Sequence, residues 1–79
     1  MSSDTYTELF KITYSGVVSD LDNHISELDG VERVSGSGQQ GNVDGTLAYD
    51  ITYNTYQTDQ DHVANEIENI GGVTDVTFG

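Results

Sequence analysis

The sequence predicts an α+β fold, with a four-stranded antiparallel sheet carrying two helices on one face. Three observations lead there. Apolar residues alternate with period two in a pair of segments. They recur at spacings of three and four in a second pair. The segments follow one another as strand, helix, strand, and then the same order again.

The elements are justified in chain order. Phe10, Ile12 and Tyr14 alternate with Lys11, Thr13 and Ser15, which marks a strand with one apolar face. Leu21, Ile25 and Leu28 form one stripe of a short helix, with Ser19 and Asp22 as a capping pair at its start. Gly30 stops that helix, and Val34 belongs to a short closing strand. Residues 35–46 contain Gly36, Gly38, Gly41 and Gly45 and read as a flexible hairpin connection, with Asp44-Gly45 as its turn. Leu47, Tyr49, Ile51 and Tyr53 alternate as the first strand does. Val63, Ile67 and Ile70 repeat the helical stripe, with Thr58 and Asp61 as the second capping pair and Gly71-Gly72 as the stop. Val76 and Phe78 close the chain with a last strand.

The two halves match in detail. Phe10-Lys11-Ile12-Thr13-Tyr14 aligns with Tyr49-Asp50-Ile51-Thr52-Tyr53 at an offset of 39. Leu21, Ile25, Leu28, Val31 and Val34 align with Val63, Ile67, Ile70, Val73 and Val76 at an offset of 42. The chain is therefore one domain over residues 1–79, built from an internal repeat of residues 6–35 and 46–78. Joined this way, two βαβ units give the ferredoxin-like split βαβ arrangement, in which the two Ile-Thr-Tyr segments lie side by side as central strands. Ile12 and Ile51 are expected near the axis that relates the units.

Charge excludes several functions. Fourteen Asp and Glu against Lys11 and Arg33 give a net charge of −12. Such a surface repels phosphate backbones, so a nucleic-acid partner is not expected. Anionic membranes are disfavoured for the same reason, and no apolar run approaches the ~18 residues of a membrane span. Molar salt screens this self-repulsion to about 3 Å while carboxylates keep the surface hydrated, so a halophilic source is expected. The N-terminus has neither the basic patch nor the apolar stretch of a signal peptide, which suggests a cytoplasmic location. Without cysteine, no disulfide or thiolate metal site can form.

The face of the central strands turned away from the helices is read as Lys11, Thr13, Ser15, Ala48, Asp50, Thr52 and Asn54. It lacks the stacking aromatics and cations of an RNA-binding sheet. Lys11 is expected opposite Asp50 as an exposed cross-strand pair. The paired aspartates of "SDLD" (Ser19, Asp20, Leu21, Asp22) and "TDQD" (Thr58, Asp59, Gln60, Asp61) suit helix starts better than a calcium loop. His24 and His62 have no histidine at i+4, and Ser19, Asp20 and His24 surround one helix end rather than converge as nucleophile, base and orienter. No enzyme activity, metal or cofactor is expected.

The stretch Gly16-Val17-Val18-Ser19-Asp20-Leu21, with His24-Ile25 and Glu27-Leu28-Asp29-Gly30-Val31, resembles the ACT domain. In that family a glycine after the first strand opens a helix that ends in Gly-[Val/Ile]. Ile70-Gly71-Gly72-Val73-Thr74-Asp75-Val76 is similar to the family's last helix and strand. The resemblance implies a regulatory module that binds a small effector or a partner chain, with Ser15, Gly16, Val17, Val18 and Ser19 around the ligand. It also implies pairing of domains, here as a homodimer through a sheet edge, with the last strand the more exposed edge. A weaker resemblance, to the heavy-metal-associated domain, implies a cation-binding alternative. Its Gly-Met-x-Cys-x-x-Cys loop is here Gly16-Val17-Val18-Ser19-Asp20-Leu21-Asp22, without cysteines.

Overall fold

The computed structural model describes residues 4–78. Strand β1 spans Thr5–Val17, helix α1 Val18–Ser26, β2 Val31–Ser35, β3 Asn42–Asn54, α2 Gln60–Glu68 and β4 Val73–Phe78. The four strands form one antiparallel sheet in the order β2-β3-β1-β4, so the predicted α+β split βαβ arrangement is present. No helix among the described residues is long and apolar enough to cross a membrane.

The inner face of the sheet carries the alternating apolar set. Phe10, Ile12, Tyr49 and Ile51 are fully buried beneath Leu21, Ile25, Val63 and Ile67 of the helices. Burial of each such side chain stabilises by about 1.5–3 kcal/mol, and the core runs unbroken through both units. The three extra residues of the second unit fall ahead of its helix, because β1 runs directly into α1 whereas a turn separates β3 from α2. Both helices end alike. Val31 N–H donates to the Leu28 carbonyl and Val73 N–H to the Ile70 carbonyl, at 3.1 Å each. In each turn a glycine takes the left-handed conformation, Gly30 at φ 85° and Gly72 at φ 96°.

β1 and β3 pair along their whole length, from Thr5 opposite Asn54 to Val17 opposite Asn42. Phe10 faces Tyr49, its own counterpart in the other unit, so the pseudo-twofold axis passes between these two rings. Ile12 and Ile51 flank it. Lys11 faces Ala48, and Asp50 faces Leu9, so the expected Lys11–Asp50 pair is not formed as direct opposites. The two registers differ by two residues, a slip that leaves every side chain on its own face and is invisible to a period-two pattern.

Both helix starts differ from the expected caps. Val17 occupies the N-cap of α1 with no side-chain cap, and the Gly41 carbonyl accepts from Val18 N–H at 2.9 Å instead. Ser19 and Asp22 lie inside the helix. With β1 entering α1 directly, no extended polar residue is left to cap the helix, and a carbonyl from a distant segment takes that place. At α2 the cap is Asp59, whose Oδ1 accepts from His62 N–H at 2.8 Å. Thr58 is buried one residue earlier, and its hydroxyl has no partner among the described residues.

Candidate functional site

The edge strands are short, and this creates an opening. β2 pairs only with Asp50, Ile51, Thr52 and Tyr53 of β3, whereas β3 begins at Asn42. Among the described residues, β3 therefore has β1 on one side over residues 42–49 and no strand on the other. The expected turn at Asp44-Gly45 does not exist, because both residues lie within β3, opposite Ser15 and Tyr14. The connection is residues 36–41, and it leaves the plane of the sheet toward α1. An added side chain at Gly36 would lie 3.8 Å from Asp22 Oδ2, Ser37 sits beside the Tyr49 hydroxyl, and the Gly41 carbonyl caps Val18.

Between this connection and β3 is an open groove of about 320 Å³, lined by Gln39, Val43, Asp44, Gly45, Thr46 and Leu47. Val43, Gly45 and Leu47 share the inner face of the strand. A side chain at Gly45 would meet nothing within 4 Å, so the groove exists where the apolar alternation lacks one side chain.

The residues expected around a ligand are divided by the structure. Ser15, Gly16 and Val17 are the cross-strand partners of Asp44, Val43 and Asn42, and so lie on the strand next to the groove. Ser15 is exposed, and its N–H donates to the Gly72 carbonyl at 3.0 Å. Gly16 has φ 151°, and a Cβ there would come within 2.7 Å of the Tyr14 hydroxyl. That hydroxyl in turn donates to the Val17 carbonyl at 3.0 Å and fixes the entry into α1. Val18 is packed in the core, and Ser19 is exposed on the helix.

Two carboxylates brace the inner face by accepting from buried tyrosines. Asp22 Oδ1 accepts from Tyr49 Oη, and burial, followed by this bond, pushes the Tyr49 phenol well above its ordinary range. Glu8 Oε1 accepts from Tyr53 Oη at 3.0 Å, while its Oε2 accepts from Gln60 Nε2 at the start of α2. Burial first, and then Glu8, push the Tyr53 phenol up to about 12. Asp22 ties α1 to β3, and Glu8 ties β1 to β3 and, through Gln60, to α2.

The opposite face of the sheet is polar. Thr7 and Thr52 share a hydroxyl hydrogen bond of 2.7 Å across β1 and β3, and Thr13 and Thr46 one of 3.1 Å. The histidines stand apart from each other. His24 Nδ1 lies 3.2 Å from the Asp20 main-chain oxygen, and His62 Nε2 lies 3.4 Å from Glu66 Oε1. Among the described residues no three His, Cys, Asp or Glu side chains gather as a metal site.

The lining residues of the groove escaped the sequence reading because Asp-Gly within a glycine-rich stretch looks like a turn. The signal was present: Val43 and Leu47 continue the alternation of Tyr49, Ile51 and Tyr53, with Gly45 as a gap in the same phase. No family model, curated protein or solved structure matches the chain.

Proposed function

We propose that the chain is a non-enzymatic binding domain of regulatory character, which takes up a small effector or a segment of a partner chain in the groove beside β3. One observation carries this reading. The groove lies against the strand end and helix start that, in ACT-like domains, hold the effector: Ser15, Gly16 and Val17 pair with its lining strand. Its volume is at the lower end of the range for ligand sites, roughly 300–1,000 Å³. The ACT-like run from Gly16 to Val31 supports the regulatory role, and the net charge of −12 supports a halophilic source. The test is a titration of the backbone amide signals with a panel of amino acids and divalent cations. Shifts confined to residues 15–19 and 42–47 are expected for a ligand of this site. A panel, extended to peptides, that shifts none of those amides would refute the proposal.

A further inference from the structure

The geometry points to a particular occupant. We propose that an extended basic segment of a partner protein adds to the sheet along β3 at residues 42–49 and places one apolar side chain in the gap at Gly45. This rests on the binding role proposed above and specifies the chemistry of the ligand.

The first argument is the edge itself. At a rise of about 3.4 Å per residue, residues 42–49 offer roughly 25 Å of extended backbone. Among the described residues the far side of this stretch has no strand, only the 36–41 connection across the groove, and a row of amides and carbonyls without a strand partner is a template for strand addition. Edges that must stay unpaired carry charges, most often lysine, or proline, or a bulge, or lie under a loop; here the guards are Asp44 and the 36–41 connection across the groove. Residues 42–49 contain no lysine and no proline, and β3 keeps an unbroken register with β1 throughout.

The second argument is the gap. Glycine inside a strand weakens it unless something approaches closely at that point. Here nothing among the described residues does so, and an added Cβ would meet open space between Val43 and Leu47. A strand laid along the edge sends alternate side chains to the inner face, where a Val or Ile side chain has two apolar neighbours.

The third argument is charge. The other alternate side chains of the added strand reach the polar face, where Asp44, Thr46, Ala48 and Asp50 stand exposed. Two carboxylates there, on a protein of net charge −12, favour lysine or arginine over acidic side chains, although Lys11 stands on the same face opposite Ala48. A second copy of this chain is the poorer occupant, because its own residues 42–49 carry no cation and would bring a second Asp44 to an already acidic face.

The probe is a capped peptide of about nine alternating lysines and valines, long enough to span the edge. Its controls are the glutamate–valine counterpart, free lysine and free valine. Amide shifts are recorded on the full chain at about 0.15 M KCl, where the Debye length is about 8 Å. The expected result is shifts centred on residues 42–49 with the basic peptide and none with the acidic one. Gly45→Val fills the gap at a position of ordinary strand conformation and should weaken binding about tenfold, as should Asp44→Lys, with both variants melting cooperatively. Equal affinity for wild type and Gly45→Val, or shifts spread over the whole acidic surface, would mean charge attraction alone and overturn the inference. So would shifts at residues 42–49 that appear on concentrating the protein without peptide, since a second copy would then be the occupant. If free amino acids shift this region and the peptide does not, strand addition is wrong and the binding role stands. If neither does, both are wrong.

Discussion

Three glycines in left-handed conformations allow backbone strain to be separated from crowding. Gly38 (φ 82°), Gly30 (φ 85°) and Gly72 (φ 96°) impose nearly the same requirement on an alanine. That requirement costs about 1–2 kcal/mol, offset in part by the reduced freedom of the unfolded chain, roughly 0.4–1 kcal/mol. At Gly38 the new Cβ meets nothing within 4 Å, so Gly38→Ala should destabilise by about 0–1.6 kcal/mol. At Gly30 it comes within 2.6 Å of Thr58 Cγ2, a side-chain atom that can move only by leaving its rotamer, which adds about 1 kcal/mol. At Gly72 the obstacle is the Ser15 main-chain oxygen at 2.6 Å, with the Tyr14 ring at 2.9 Å. The same two segments are tied by the 3.0 Å bond from Ser15 N–H to the Gly72 carbonyl, so neither can withdraw without losing it. Overpacking of this kind adds about 1–3 kcal/mol, for a total of about 1–5 kcal/mol. Urea unfolding followed by circular dichroism reads the difference. With a slope of about 1 kcal/mol per molar urea, the midpoint should fall by up to about 1.6 M for Gly38→Ala and by about 1–5 M for Gly72→Ala, with Gly30→Ala between them. Equal midpoints for Gly38→Ala and Gly72→Ala would refute the reasoning.

Other perturbations test the remaining parts. Ile12→Ala and Ile51→Ala remove fully buried side chains beside the pseudo-twofold axis and should each cost about 2–5 kcal/mol, enough to unfold a marginal domain; melting curves like the parent's would contradict the core. Tyr53 has its folded-state pKa raised to about 12 from an ordinary value near 10, so the stability it contributes is full below about pH 10 and is lost as pH rises toward 12. Chemical unfolding across that range should show the decline, smaller in Tyr53→Phe, and a flat profile to pH 12 would exclude it. Folding should strengthen as KCl rises from tens of millimolar toward molar, because screening relieves repulsion among the 14 carboxylates; an unchanged melting temperature would count against the halophilic reading. Sedimentation should find a monomer at low ionic strength and a homodimer through the outer edge of β4 at molar salt, with Thr74→Lys lowering the dimer fraction.

The architecture was legible because its main signals are local. Alternation at Phe10, Ile12 and Tyr14 and at Tyr49, Ile51 and Tyr53 identified the two central strands, and the stripes through Leu21, Ile25, Val63 and Ile67 identified the helices. Gly30 and Gly72 were read as stops, and both sit in the turn after a helix with positive φ. What failed depends on partners distant in sequence. No local pattern announces that Gly41 will cap α1, or that Asp22 will serve Tyr49 instead of the helix start. The Lys11 register failed by a two-residue step that preserves every face. Around the candidate site, the strand end at Gly16 carried a family-like pattern, while the groove beside it was hidden by a glycine inside a strand.

The sheet order has a consequence for how the chain reaches its fold. In β2-β3-β1-β4 every neighbouring pair joins one unit to the other: β2 with β3, β3 with β1, β1 with β4. Among the described residues neither unit contains a strand pairing of its own. The two halves therefore cannot fold first and dock afterwards, despite their repetition in sequence. The ladder between β1 and β3 must close over a long stretch of chain before any edge can form, which places folding among the slower, non-local topologies. A chain cut within residues 36–41 would give two fragments without secondary pairing apart, able to acquire a sheet only by combining. A single unit on its own would face the same demand, and the place where Phe10 meets Tyr49 would become the true twofold axis of two identical copies.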